Sequence, residues 1–258
     1  MALKRLPRRL SHGEEASLVE HLGELRARLL ISLGALAVGF VVGFIFHEQL
    51  IEWLSRPLPP DVELVTLGVT EPFFTAIKVS FYAAFALALP VLLYQLWSFL
   101  APAMEENSQR VIAVFVLFST VLFTGGLAFA YYVALPRAVT FLTNFDAELY
   151  EEQIRANYYF SFVSLTLLAI SMVFELPIFI LALVRLRVLT ADKLRNNRRI
   201  GYICVLSLAV LLPTVDPVSL AFEAVPLLLL YEGSIWLSTF MERRWERAGL
   251  VEAVDTEF

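Results

Sequence analysis

FFTAIKVSFYAAFALALPVLLYQLWSF, residues 73–99, decides the fold class of this chain. In 27 residues it carries one charge, Lys78. A helix needs about 20 apolar residues to cross a hydrocarbon core of about 30 Å, and this stretch exceeds that. Apolar and polar residues do not alternate along it, so it does not read as a strand of a β-barrel. Similar runs lie on either side, near 29–46, 111–135, 160–184, 200–212 and 218–240, making six predicted spans.

Composition agrees. The chain has 258 residues, 59% of them hydrophobic and 17% charged, with a mean hydropathy of +0.71. A soluble domain usually holds about 45–50% apolar and about 25% charged residues. The numbers exclude a soluble enzyme and a disordered chain, and the net charge of −5 gives no basic footprint for nucleic acid. One cysteine, Cys204, excludes an intrachain disulfide framework and a Cys-rich metal site. The three histidines, His12, His21 and His47, are far apart in sequence, and no cofactor or metal is expected. The first span lacks a small-residue cleavage site and is followed by five more, so it is not a cleaved signal peptide.

Loop charge sets the orientation. Sixteen Lys and Arg fall before span 1, in alternate loops and after span 6, against three in the remaining loops. The positive-inside rule then places both termini in the cytoplasm. Residues 1–242 read as one membrane domain and 243–258 as a cytoplasmic tail. The outer loops, 47–72 and 136–157, are long and acidic. Leu50, Ile51, Trp53 and Leu54 in the first of them suit a short interfacial helix. Trp53, Trp97, Trp236 and Trp245 all fall near span ends, as an aromatic belt requires.

The last two spans are short. Gly201 to Leu212 covers roughly 18 Å at 1.5 Å per residue before Pro213 and Pro217. The sixth is interrupted by Glu223, Pro226 and Glu232. Such segments imply bilayer thinning or shelter within protein. Pro90, Pro177 and Pro226 leave the carbonyls of Ala86, Val173 and Phe222 without a helical donor, which suits a concave wall. Acids at membrane depth are costly, so Glu175 must face water, find a partner or bind a proton. Asp216 and Glu232 are the other candidates for an intramembrane polar or partner contact, although Asp216 also suits a helix cap.

On the cytoplasmic side, Ser17 and Glu20 have capping-box spacing, so a helix starts at Leu18. Glu24 and Arg28 have the favoured order for an i, i+4 ion pair. Glu24 is also a carboxylate that can be offered to a cation. Glu105 and Glu106, between spans 2 and 3, form a second acidic spot on an otherwise basic face. Carboxylates bind guanidinium in bidentate fashion, so the two spots together suit an arginine-bearing partner.

Several motifs resemble those of the TatC family, the multi-spanning subunits of the twin-arginine protein translocase. They are His21-Leu22-Gly23-Glu24-Leu25-Arg26-Ala27-Arg28-Leu29, Glu71-Pro72-Phe73-Phe74 with Ile77-Lys78, and the run from Pro90 to Pro102. Phe174-Glu175-Leu176-Pro177 and Asp216-Pro217 with Pro226 and Tyr231-Glu232 complete the series, in order, from about 18 to 240. The resemblance implies a glove-like bundle of six helices with short helices 5 and 6 and both termini cytoplasmic. It implies a receptor for twin-arginine signal peptides on folded cargo, driven by the proton-motive force in the cytoplasmic membrane. It implies single-span TatA- and TatB-type partners and homo-oligomers within the complex. Carried over, His21, Glu24, Arg26 and Phe99 belong to the arginine-binding region. The family usually has Glu where this chain has Ser108, and Glu105 or Glu106 is expected to substitute. Leu220 stands where many relatives have a Gln used for docking small subunits, while Ser219 matches.

The main alternative is a proton-coupled secondary transporter, which would also carry Glu175 and broken helices but should show inverted repeats; none is found. Catalysis is not expected: His47-Glu48-Gln49-Leu50-Ile51 lacks the second His of a zinc protease, and no nucleophile elbow occurs.

Overall fold

A computed structural model describes residues 18–60, 62–100, 109–145, 153–186, 188–212 and 217–255. It is helical almost throughout. Helix α1 (Leu18–Ile45) leads through one turn residue into α2 (His47–Ser55), and strand β1 (Leu64–Val65) precedes α3 (Glu71–Leu100). Helix α4 (Gln109–Phe129) passes through a π turn (Ala130–Ala134) into α5 (Leu135–Asn144). Strand β2 (Ile154–Arg155) opens α6 (Ala156–Val173), and α7 (Leu176–Arg185), α8 (Ala191–Asn196), α9 (Arg198–Val210) and α10 (Pro217–Asp255) follow.

Five segments are long and apolar enough to cross a membrane: His21–Ile45, Glu71–Leu100, Ile112–Asn144, Ala156–Arg185 and Leu220–Arg244. The fifth expected span is α9, whose 13 residues reach only about 20 Å. Helix α1 is helical from Leu18, the first described residue, and the capping residue Ser17 expected from the sequence lies outside the described residues.

Four sequence expectations need correcting. The third span does not end at 135: it runs to Asn144 because the π turn takes up the register at Pro136, which sits in the first turn of α5 where its missing N–H costs little. The fourth span is two helices, broken at Phe174-Glu175 ahead of Pro177. The sixth is not short as a helix, because α10 is 39 residues long and continues beyond its apolar part as a polar helix. Trp97 is no belt residue: it is fully buried, edge-on to Phe115, and its Nε1 donates to Ser119 Oγ at 3.3 Å.

Two cores hold the bundle. One gathers the π turn, α5 and α6 with α9 and α10, around Tyr131, Leu135, Val163, Ile170, Leu227 and Ile235. The other joins α3, α4 and α7 around Leu93, Trp97, Phe123 and Ile178. Helix α1 leans chiefly on α3 and leaves most of its apolar surface outward. Gly39 and Gly43 make that contact close: a Cβ on either would lie 2.9 Å from a backbone oxygen, of Ala84 or Ser80. Small residues four apart allow such approach between membrane helices.

Helix α2 is docked on the bundle. Leu54 is buried, Trp53 stacks on Tyr131 at 3.9 Å, and the hydroxyls of Tyr131 and Tyr159 donate to the carbonyls of Trp53 (2.8 Å) and Leu54 (3.0 Å). The segments that lead into α3 and α6 are joined by parallel pairing of Leu64 with Ile154 and Val65 with Arg155.

Candidate functional site

The first turns of α1 meet the last turns of α3. Leu22, Leu25 and Leu29 supply helix-forming residues along α1, and Glu24 and Arg28 fall one turn apart. Arg28 Nη2 donates to Glu24 Oε1, and Arg28 Nη1 donates to the Gln95 carbonyl at 3.3 Å. His21 stacks on Phe99 with ring centroids 4.5 Å apart and 22° between planes. Its Nδ1 lies 4.0 Å from Glu24 Oε2. Gln95 and Phe99 are themselves one turn apart on α3, so α1 and α3 each contribute one face of the cluster.

This arrangement leaves Glu24 half paired. One oxygen accepts from Arg28, and among the described residues the other is held only by a long contact to His21. The Glu24 side chain is 38% exposed, so a second guanidinium has access to it. The structure thus brings together His21, Glu24 and Phe99. Arg26 is exposed and makes none of these contacts. Glu105, Glu106, Ser108 and Asp216 lie outside the described residues.

Glu175 occupies the break between α6 and α7 and is 1% exposed. Neither carboxylate oxygen has a hydrogen-bond partner among the described residues. Ser119 is close enough to interact with it but does not meet hydrogen-bond geometry, and its hydroxyl already accepts from Trp97. Gly126 presses on this break, where an added Cβ would lie 2.8 Å from Phe174 and 2.9 Å from Ser171. Glu232 is engaged within the chain: it accepts from Tyr202 Oη and lies 3.4 Å from Arg198 Nη2, both on α9. Glu223 is buried and also has a partner.

Sequence reasoning missed a polar cluster at the other end of the bundle. Glu71 accepts from Arg155 Nε (2.8 Å), Leu67 N (3.0 Å) and Asn157 N (3.3 Å), tying the segments before α3 and α6 to the start of α3. The Glu71 carboxylate holds the Arg155 guanidinium above its ordinary value. The available signal was an acid at a span entry with an arginine at the entry of another, but nothing in the sequence pairs residues 84 apart.

The model of the Sec-independent protein translocase protein (TatC) family matches residues 20–226. The chain belongs to the TatC family. The TatC protein of Magnetococcus marinus is 36% identical over 235 residues, covering 90% of this chain and 87% of that one. The Aquifex aeolicus TatC is 38% identical, covering 88% of this chain and 96% of that one. A crystal structure of the twin arginine translocase receptor TatC in DDM superimposes with a TM-score of 0.75 at 37% identity, over 84% of this chain and 99% of that one. As a TatC-family member with several long apolar helices, the chain is a multi-pass membrane protein and a subunit of the Sec-independent translocase. The family is a translocase component rather than a known enzyme.

Proposed function

We propose that the α1–α3 cluster receives the paired arginines of a twin-arginine signal on folded cargo. The observation that carries this reading is the half-paired, accessible Glu24 carboxylate beside the stacked His21 and Phe99 rings. A guanidinium entering there gains a charge-assisted hydrogen bond to the free oxygen. Its planar face finds the stacked rings at the edge of the site, which lysine exploits less well. Glu105 and Glu106 supply the second acidic contact in place of the family acid absent at Ser108. The apolar part of the signal then lies against the bundle near Glu175.

Both termini lie on the cytoplasmic side of the cytoplasmic (inner) membrane, a reading supported by sixteen basic residues on one set of loops against three on the other. The chain assembles with TatA- and TatB-type single-span partners and with further copies of itself, and the proton-motive force drives transport. Glu175 meets a polar group on a partner helix, since an unpaired carboxylate at that depth is expensive.

Photo-crosslinking from positions 24 and 106 to a twin-arginine signal peptide in membranes, with a twin-lysine peptide as control, tests the receptor reading. Arginine-dependent crosslinks are expected at both. Equal crosslinking of the two peptides, or none, overturns it. A Glu105→Gln, Glu106→Gln double variant that binds signal normally would remove those two residues from the site.

A further inference from the structure

An apolar cavity of about 330 Å³ opens between α1, α2, α3, α4 and α6, walled by residues such as Val42, Phe46, Trp53, Ala86 and Leu168. One buried polar group belongs to its lining. Ser164 is 4% exposed, and its hydroxyl has no partner among the described residues. An apolar cavity stays dry and takes an apolar guest.

Above that cavity, towards the outer loops, stands Lys78. It lies one turn before the lining residue Tyr82 on α3. Its Nζ donates to Asn157 Oδ1 (2.7 Å) and Ser161 Oγ (3.3 Å) on α6. Asn157, Ser161, Ser164 and Leu168 follow one another along a single face of α6, at spacings of four, three and four. The ammonium is therefore held by two neutral oxygens about one turn beyond the lining residues Tyr82 and Ser164. Its side chain is exposed, with exposed Phe74 and Phe81 one turn either side, and no carboxylate among the described residues pairs with it. Lys78 is seven residues into α3, roughly 10 Å along the helix. A cation at that depth without an anion is expensive.

We propose that this is a binding site for an anionic phospholipid, with its phosphate on Lys78 and one acyl chain in the cavity. The cation requires an anion, and the cavity requires a chain.

Native mass spectrometry of the purified full-length protein tests this, with dioleoylphosphatidylglycerol and dioleoylphosphatidylcholine as probes. Both lipids have the same chains and differ in net charge. The wild type should retain phosphatidylglycerol in preference to phosphatidylcholine. Lys78→Gln should cut phosphatidylglycerol retention about fivefold, the effect of one basic residue on an anionic lipid, and leave phosphatidylcholine unchanged. Ala86→Phe, which fills the cavity and keeps the cation, should reduce retention at least as much. Ser164→Leu serves the same purpose if Ala86→Phe fails to fold. Equal retention of the two lipids by the wild type overturns the proposal. So does wild-type phosphatidylglycerol retention by Lys78→Gln or by the cavity-filling variant. A crosslink from position 86 to another polypeptide in place of lipid also overturns it.

Discussion

Gly34→Ala and Gly39→Ala are the same chemical change, one and a half turns apart on α1, and the structure gives them opposite signs. Around Gly34 nothing among the described residues lies within 4 Å of an added Cβ. Alanine there gains helix propensity, about 0.5–1 kcal/mol. At Gly39 the new Cβ meets Ala84 O at 2.9 Å and Ala84 Cα at 3.1 Å, against an ordinary contact distance of 3.4–4 Å. Both obstacles are backbone of α3, so neither can rotate aside. Helix α1 must back away by roughly 0.5 Å, and a gap of that order forfeits about a quarter of each pair's contact energy along the interface. Overpacking of this kind costs about 1–3 kcal/mol. Helix α1 has little other support, because its main neighbour is α3. After the propensity gain, Gly39→Ala should therefore destabilise by about 1–2 kcal/mol. Gly43→Ala, facing Ser80 O at 2.9 Å, should behave alike. The double variant should cost less than the sum, since α1 retreats once for both. Denaturant unfolding in mild detergent, followed by tryptophan fluorescence, measures all four. Gly39→Ala as stable as Gly34→Ala would refute the close-contact argument. The same retreat carries His21 away from Phe99, so signal binding should weaken alongside stability.

Further outcomes follow from other contacts. Tyr131→Phe and Tyr159→Phe each remove one hydrogen bond to α2; each should cost about 0.5–1.5 kcal/mol and speed amide exchange in α2, measured by hydrogen–deuterium exchange. Glu175→Leu removes a buried carboxylate that has no partner among the described residues; it should raise unfolding stability by about 1–3 kcal/mol while transport and partner crosslinking fall, and unchanged transport would discard the partner role. Arg155→Ala frees Glu71 from its cationic partner; amide exchange at Leu67 and Asn157 should accelerate, while signal-peptide crosslinking at position 24 stays at the wild-type level.

The membrane class, the long spans and the family could be read from the sequence because each depends on local order. Hydropathy over a window of about 20 residues needs no knowledge of neighbours. The Glu24–Arg28 pair was equally legible, since both residues sit on one helix and i, i+4 spacing sets their meeting. Pro177 marked a break that the structure places at Phe174-Glu175. The π turn was not legible: Ala130 to Ala134 are ordinary helix residues, and only their packing around Tyr131 distinguishes them.

What tertiary structure alone decided is which distant groups meet. Trp97 near a span end read as a belt residue, yet helix packing carries it into the core against Phe115 and Ser119. Glu232 read as an intramembrane polar or partner contact, and only the folding back of α9 decides that Tyr202 and Arg198 meet it. Leu64 and Ile154 pair across 90 residues, and Lys78 finds Asn157 and Ser161 across a similar distance. Apolar periodicity tells a helix to enter the bilayer but not which neighbour it touches, because lipid and a second helix are nearly equivalent solvents for leucine. The choice of neighbour rests on close backbone approach, as at Gly39 and Gly43, and on satisfying the few polar groups carried into the membrane. Those conditions exist only once the helices are assembled.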